Sequence, residues 1–390
     1  MWDEVFEKEL TALEGNGLLR DLYALPAPGG EIVIDGKRFV NLTANDYLGL
    51  SKDERLKEAS IEAVRRFGCG TGASRLLTGH LKLHEELEAD LASMTGKEAA
   101  LVFGSGFLTN LGVITALSGP GDEIYSDWLN HASLIDGIRL SYARCERYRH
   151  KDVDHLEGLL KKSRTKGKRI IVSESVFSMD GDIAPVEELA RLAKRYEALL
   201  VIDEAHAIGV MGVNGGGVCR VPGAGCQPDI VVGTMSKSLG GYGGFVACSR
   251  TVRRLLINKA RSFLFSTGLP PACLGSSRRA VSIVASTPDL GKRLLEKAGR
   301  FRALLAGRGL RVPPFESHIL PILIGGNEEA LRFSELLFEK GLIVKAIRPP
   351  TVPVGASRVR LSVTLSIGDE TLDQAAEEIG EAAKELGLGA

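Results

Sequence analysis

The apolar run Ile230-Val231-Val232-Gly233-Thr234 leads straight into Met235-Ser236-Lys237-Ser238, with paired glycines just beyond. Upstream, Leu199 to Ile202 is a second apolar run, ending in Asp203-Glu204-Ala205-His206. Short apolar runs bounded by turn residues read as strands, so a lysine amine, a carboxylate and an imidazole stand at neighbouring strand ends. These are the parts that pyridoxal 5'-phosphate (PLP) requires: a lysine for its Schiff base and an acidic partner for its pyridinium nitrogen. Most lysines are solvated surface groups, so the surroundings of Lys237 carry the reading.

Asp203 follows four apolar residues and is expected to be partly buried, where an unpaired carboxylate tends to take up a proton. A cationic pyridinium would keep it ionised; an arginine or a helix start would serve as well. His206 is spaced to donate to the phenolic oxygen of the cofactor. The apolar run from Ala99 to Phe103 ends at Gly104-Ser105-Gly106-Phe107, where a helical pattern begins. Backbone N–H groups at such a start form an anion site, although glycines after a strand also simply turn the chain. Thr234 and Ser236 add hydroxyls suited to a phosphate. His131, in Asn130-His131-Ala132-Ser133, stands between a strand and a helix, where its ring either stacks on a pyridine or only opens the helix.

Rival motifs fail on context. Asp203-Glu204-Ala205-His206 spells a helicase signature, but no G-x-x-x-x-G-K-[ST] accompanies it. Gly68-Cys69-Gly70-Thr71-Gly72-Ala73 fits a dinucleotide pattern, yet it follows a helical stretch where a strand is required. No G-x-S-x-G elbow occurs. His80 and His84 lack cysteines at ligand spacing, so no metal site is expected.

The elements that must position these groups alternate from about residue 45. Helices are expected over 53–67, 83–94, 107–117, 133–142, 153–162 and 186–196. Strands are expected over 99–103, 123–126, 147–149, 169–173, 199–203 and 230–234. Strands buried on both faces between helices imply an α/β fold, a mostly parallel sheet with helix cover. Before it come a short amphipathic helix, a turn over 26–30 and a strand over 31–39. After about 288 come helices over 290–305, 328–339 and 370–386 and strands over 318–324, 343–347 and 358–363, a small α+β domain. The division is therefore 1–44, an N-terminal helix and strand; 45–287, the large domain; and 288–390, the small one. At 390 residues the chain exceeds a single core. Its 44% hydrophobic and 25% charged content is that of a globular protein, and Lys+Arg and Asp+Glu balance at 49 each, so no overall field favours nucleic acid or membrane. The acidic N-terminus has no apolar core and six cysteines lack any C-x-x-C pair, which points to reduced thiols and a cytoplasmic protein.

Taken together, Asn45-Asp46-Tyr47-Leu48-Gly49-Leu50, Gly104-Ser105-Gly106-Phe107, His131-Ala132-Ser133, Val176-Phe177-Ser178-Met179-Asp180-Gly181-Asp182, Asp203-Glu204-Ala205-His206 and Ser236-Lys237-Ser238 resemble the α-oxoamine synthases. These are PLP enzymes of the aspartate-aminotransferase fold (fold type I), and the likeness spans about residues 20 to 365. It implies a decarboxylative condensation of an amino acid with an acyl thioester, carried by CoA or a carrier protein. The segment Ala346-Ile347-Arg348-Pro349-Pro350-Thr351-Val352-Pro353 is most similar to members that join L-alanine to a pimeloyl thioester in biotin biosynthesis. Glycine with acetyl-CoA, or the substrates of another α-oxoamine synthase, are the alternative, and a silent regulatory subunit of the same fold the non-enzymatic one. The resemblance assigns Lys237 to the Schiff base and to Cα proton transfer, Asp203 to the pyridinium nitrogen, His131 to ring stacking, and His206 with Ser178 to the phenolic oxygen. Gly106, Phe107 and Thr234 would hold the phosphate, with Thr267 reaching in from the second subunit of a homodimer. Arg360 would pair with the amino-acid carboxylate, and Arg20, Arg348 and Thr351 would meet the acyl chain end.

Overall fold

Seven strands form one sheet in the order Ala99–Phe103, Gly244–Cys248, Ile230–Thr234, Leu199–Asp203, Arg169–Glu174, Glu123–Asp127, Arg144–Tyr148. All pairings are parallel except the two made by Gly244–Cys248. That strand follows Ile230–Thr234 through a connection, 235–243, too short for the crossover that a parallel neighbour needs. Phe103, Asp127, Glu174, Asp203 and Thr234 consequently end on one edge, where ligands of open α/β sheets sit. The computed structural model describes residues 1–27, 29–314 and 317–388. Pro28, within the turn expected over 26–30, and residues 315, 316, 389 and 390 of the expected C-terminal domain lie outside the described residues.

Contacts divide the chain into two compact units: Met1–Asn45, Met179–Gly181 and Leu294–Ala390 in one, Asp46–Ser178 and Asp182–Arg293 in the other. The second holds the large sheet. Its core packs Leu101, Val172, Val201, Val232 and Val246 against Val113, Ile114 and Leu117 of helix Gly106–Leu117 and Leu134 and Ile138 of helix Ala132–Ser141. Each such side chain contributes about 1.5–3 kcal/mol on burial. Helix Gly106–Leu117 begins where Ser105 accepts the Leu108 N–H, an N-cap that fixes its first turn at the sheet edge.

In the other unit the strand expected over 31–39 is a hairpin, Glu31–Ile34 with Lys37–Asn41. Asp35 and Gly36 turn between them at φ 48° and 79°, the Asp-Gly dipeptide supplying the left-handed pair that a tight hairpin demands. The strand expected over 343–347 is also two pieces. Leu342–Ile343 joins Lys37–Asn41 in parallel, whereas Ala346–Ile347 pairs antiparallel with Ser357–Ser362, which also pairs with Ile319–Gly325. No helix among the described residues is long and apolar enough to cross a membrane.

Buried carboxylates with basic partners fasten loops of the sheet-bearing unit. Glu88 accepts from Arg75 (2.6 Å), Arg253 (2.7 Å) and the Val102 N–H (2.9 Å), tying the glycine-rich link before Arg75 to strand Ala99–Phe103. His150 lies between Asp127 Oδ1 and Asp182 Oδ2, 2.9 Å from each. Burial depresses its pKa, but hydrogen bonds and charge from the two carboxylates outweigh this and raise it from 6.5 to about 9. Folding therefore binds a proton: the contribution is complete below about pH 6.5 and is lost as pH rises through about 9. Unfolding free energy measured with denaturant should fall by on the order of 3 kcal/mol across that window in the wild type, and His150→Asn should lack that fall; parallel curves would refute the bridge.

Candidate active site

The strand ends of the sheet-bearing unit enclose a cavity of about 180 Å³, lined among others by Gly106, Phe107, Asn110, His131, Glu174, Asp203, His206, Thr234 and Lys237. A larger cavity of about 730 Å³ in the same unit lies among helices Glu54–Phe67, Lys82–Thr95 and Pro271–Ser286 and holds none of these groups. Chemistry, more than size, singles out the smaller one.

Asp203 is 5% exposed. Two donors meet it: Asn110 Nδ2 at 2.7 Å on Oδ2, and the Ala205 N–H at 2.9 Å on Oδ1. Asn110 Nδ2 also donates to Ser133 Oγ at 2.9 Å. The Ser133 hydroxyl and N–H in turn lie 2.8 and 3.2 Å from His131 Nδ1. With Nδ1 accepting, the ring proton of His131 belongs on Nε2. Desolvation pushes the His131 pKa down and the charge on Lys237 adds to this, against the opposing pull of Asp203. The imidazole is therefore neutral near pH 7.

Lys237 follows strand Ile230–Thr234, and its Nζ lies 2.8 Å from His206 Nε2. His206 Nδ1 is 2.6 Å from the Tyr47 hydroxyl. Whichever ring nitrogen carries the proton donates and the other accepts, so the imidazole links phenol to amine.

Gly106 opens the helix at the other end of the cavity. A Cβ on it would meet Thr234 Cβ at 3.5 Å, so the helix start and the Thr234 side chain are immediate neighbours. The Thr234 hydroxyl donates to Gly243 O at 2.8 Å and accepts the Ser236 N–H at 3.2 Å. First-turn N–H groups lack intrahelical acceptors and attract an anion.

Two further acids stand here, Glu174 closing its strand and Glu204 just beyond Asp203. Glu174 is 3% exposed; its Oε2 accepts the Ser178 N–H at 3.2 Å, while Oε1 is buried without a partner among the described residues. Burial, then the charge of Asp203, push its carboxyl up to about 8 against the pull of Lys237. Glu204 accepts from the Val218 and Cys219 N–H groups and the Ser175 hydroxyl at 2.8, 2.9 and 2.5 Å. Gly217, at φ 103°, lets the chain pass: a Cβ there would lie 2.5 Å from the Glu204 carboxyl carbon.

Among the remaining expected residues, Ser178 is buried beside Glu174 but does not line the cavity. Thr267 is exposed and bridges to Ser74. The other four belong to the other unit. Arg360, on strand Ser357–Ser362, donates from both terminal nitrogens to Asn45 Oδ1 at 3.1 Å. Arg348 donates to Gly17 O and, at 3.2 Å, to Leu19 O. Arg20 reaches Pro349 O at 3.1 Å, and the Thr351 N–H donates to Arg348 O at 3.1 Å. Burial and the charge of Arg20 both push the Arg348 pKa down. Sequence reasoning had missed Asn110, Glu174 and the role of Tyr47. Glu174 carries the same signature as Asp203, an acid closing an apolar run, whereas Asn110 has no local signal.

A family model described as aminotransferase class I and II matches residues 37–379. The 8-amino-7-oxononanoate synthase of Lysinibacillus sphaericus is 43% identical over 384 residues, 98% of this chain and 99% of that protein. Among solved structures, a serine palmitoyltransferase variant from S. paucimobilis with a bound PLP–myriocin aldimine matches with TM-score 0.92 at 31% identity, covering 98% of each chain. The 8-amino-7-oxononanoate synthase of Francisella tularensis matches with TM-score 0.75 at 30% identity, over 89% of this chain and 98% of that one.

Removing Asn110 tests the donor network around Asp203. Asn110→Ala should lower thermal stability by about 1–3 kcal/mol, the cost of stranding a buried acceptor; an unchanged melting temperature would mean that Asp203 does not depend on this amide.

Proposed function

The chain belongs to the aminotransferase class I and II family, and we propose that it is a PLP-dependent acyltransferase that condenses L-alanine with a pimeloyl thioester to 8-amino-7-oxononanoate. The thiol and CO2 leave, and the reaction is a step of biotin biosynthesis. Full-length relatives named for this synthase support the assignment. One observation carries the PLP chemistry within it: Lys237, Asp203 and a helix N-terminus converge on one cavity, an amine, a carboxylate and an anion site on a single sheet edge.

These residues fit PLP. Bound there, the cofactor supplies an electron sink for negative charge at the amino-acid Cα. Lys237 would hold it through its amine and would move the Cα proton as a general base. His206, itself fixed by Tyr47, orients that amine. Asp203, supported by Asn110 and Ala205, keeps the ring nitrogen protonated. His131, neutral and with its proton on Nε2, stacks on the ring and donates to the thioester oxygen. Gly106 and Phe107 would offer backbone N–H groups to the phosphate, with Thr234 beside them once its hydroxyl turns from Gly243 O, and His206 would serve the phenolic oxygen, with Ser178 approaching it from outside the cavity lining. Arg360 suits the amino-acid carboxylate, since its planar fork already grips an oxygen in this way. Arg20, Arg348 and Thr351 meet the acyl end. The protein works in the cytoplasm as a homodimer, with Thr267 completing the partner's phosphate site.

Purified protein should show a visible cofactor absorption band that Lys237→Ala abolishes, with turnover reduced roughly 10²–10⁴-fold. A colourless wild type that takes up no PLP would overturn the reading. With L-alanine and pimeloyl-CoA, free thiol should be released. Much higher kcat/KM for glycine with acetyl-CoA, or for L-serine with a long-chain acyl-CoA, would reassign the substrates and leave the cofactor chemistry standing.

A further inference from the structure

Glu174 is the cavity group to which the proposed mechanism gives no task. It ends strand Arg169–Glu174 and lines the cavity beside His131, Asp203 and Lys237. One carboxyl oxygen takes the Ser178 N–H, and the other is buried with no hydrogen-bond partner among the described residues. The Glu174 N–H donates to Asn130 Oδ1 at 3.1 Å, which fastens the residue to the turn that carries His131. The surrounding groups leave little room for a second charge. Asp203 stands on the adjacent strand, Lys237 and His206 come from the neighbouring loops, His131 from the start of helix Ala132–Ser141, and Asn110 from helix Gly106–Leu117. Asn110 and Ala205 donate to Asp203, whereas one oxygen of Glu174 is buried without a hydrogen-bond partner among the described residues, which leaves Glu174 with less to hold a charge. Protonation removes the like charge beside Asp203 and turns one carboxyl oxygen into a donor. The high carboxyl pKa, about 8, agrees with this arrangement.

We propose that Glu174 is a positioning residue that works as a neutral carboxylic acid, donating its O–H to an acceptor atom of the cofactor held in the cavity. The inference rests on the PLP site argued above. Above about pH 8 the group ionises, gains negative charge beside Asp203 and ceases to donate.

Three full-length holoenzymes test it: wild type, Glu174→Gln and Glu174→Ala. Gln keeps the size and a donor without a titrating proton. PLP dissociation constants, the pH titration of the cofactor absorption band and the infrared carbonyl band of a protonated carboxyl are the readouts. Glu174→Gln should bind PLP within about threefold of wild type, and Glu174→Ala about tenfold more weakly. The wild-type titration should contain a transition near pH 8 that is missing from Glu174→Gln. The infrared band should be present in wild type at pH 7 and absent from both variants. If Gln binds as weakly as Ala, the ionised carboxylate is the working form and the proposal fails. It fails equally if the transition near pH 8 persists in Glu174→Gln, or if neither variant alters binding. A wild type with no cofactor band would defeat the PLP reading along with this inference, whereas the other outcomes defeat the inference alone.

Discussion

A charge held at a buried strand end is the interaction on which the rest depends. Strand Leu199–Asp203 delivers the Asp203 carboxylate to the sheet edge almost out of reach of water, and there it needs donors to stay charged. Asn110 provides one from the first turns of helix Gly106–Leu117. The same helix exposes its N-terminal N–H groups about 6 Å further along its axis. One rigid element thus fixes the distance between the carboxylate's partner and the anion site. That element lies hard against strand Gly244–Cys248, where a Cβ on Gly244 would fall 2.4 Å from Thr109 Oγ1 and 2.5 Å from the Gly106 nitrogen. Glycine at 244 is a requirement of the site as much as of the sheet.

Three of the acids on this edge are accommodated differently. Asp203 takes two N–H donors. Glu204, next in sequence, points into a nest of backbone N–H groups and the Ser175 hydroxyl. That nest exists because Gly217 permits a close pass, which gives the glycine-rich patch from 212 to 217 a structural purpose. Burial nevertheless pushes the Glu204 pKa up. Glu174 has the poorest set of donors and resolves the conflict by holding a proton. Neighbouring carboxyls can take different tasks at one pH, and here burial and the charge of Asp203 raise Glu174.

The sheet was legible where burial on both faces left no polar residue to interrupt a run, as in Ala99–Phe103, Leu199–Asp203 and Ile230–Thr234. It was not legible where a turn interrupts a pattern without changing it. Asp35-Gly36 is a turn signal inside a short stretch that reads as one strand, and the residues at 343–347 divide between two ladders that composition cannot distinguish. The reversed direction of Gly244–Cys248 is a property of its short connection. Within the site, Lys237, Asp203 and His206 announced themselves as polar residues at strand ends. Asn110 did not, because an amide on a helix acquires meaning only when folding sets it against Asp203. Tyr47 likewise gains its role from the imidazole of His206, far along the chain.

The cavity chemistry alone does not select a substrate. An amine, a carboxylate, an imidazole and a helix N-terminus suit many enzymes that make a carbanion on PLP, and folds of this kind host many reactions. Discrimination has to arise from groups that meet the amino-acid side chain and the acyl end. Arg348 carries five donors; two of its nitrogens already grip the carbonyls of Gly17 and Leu19, and its Nε is buried without a partner among the described residues. Its first task is therefore internal, holding the segment after the N-terminal helix against the Pro349-Pro350 loop, with Arg20 bonding back from the opposite side. An arginine fixed in this way can recognise a terminal carboxylate at little entropic cost, because its fork is already ordered. On the proposal that Arg348 meets the acyl end, selection of the chain would depend on the integrity of that clasp as much as on any single contact.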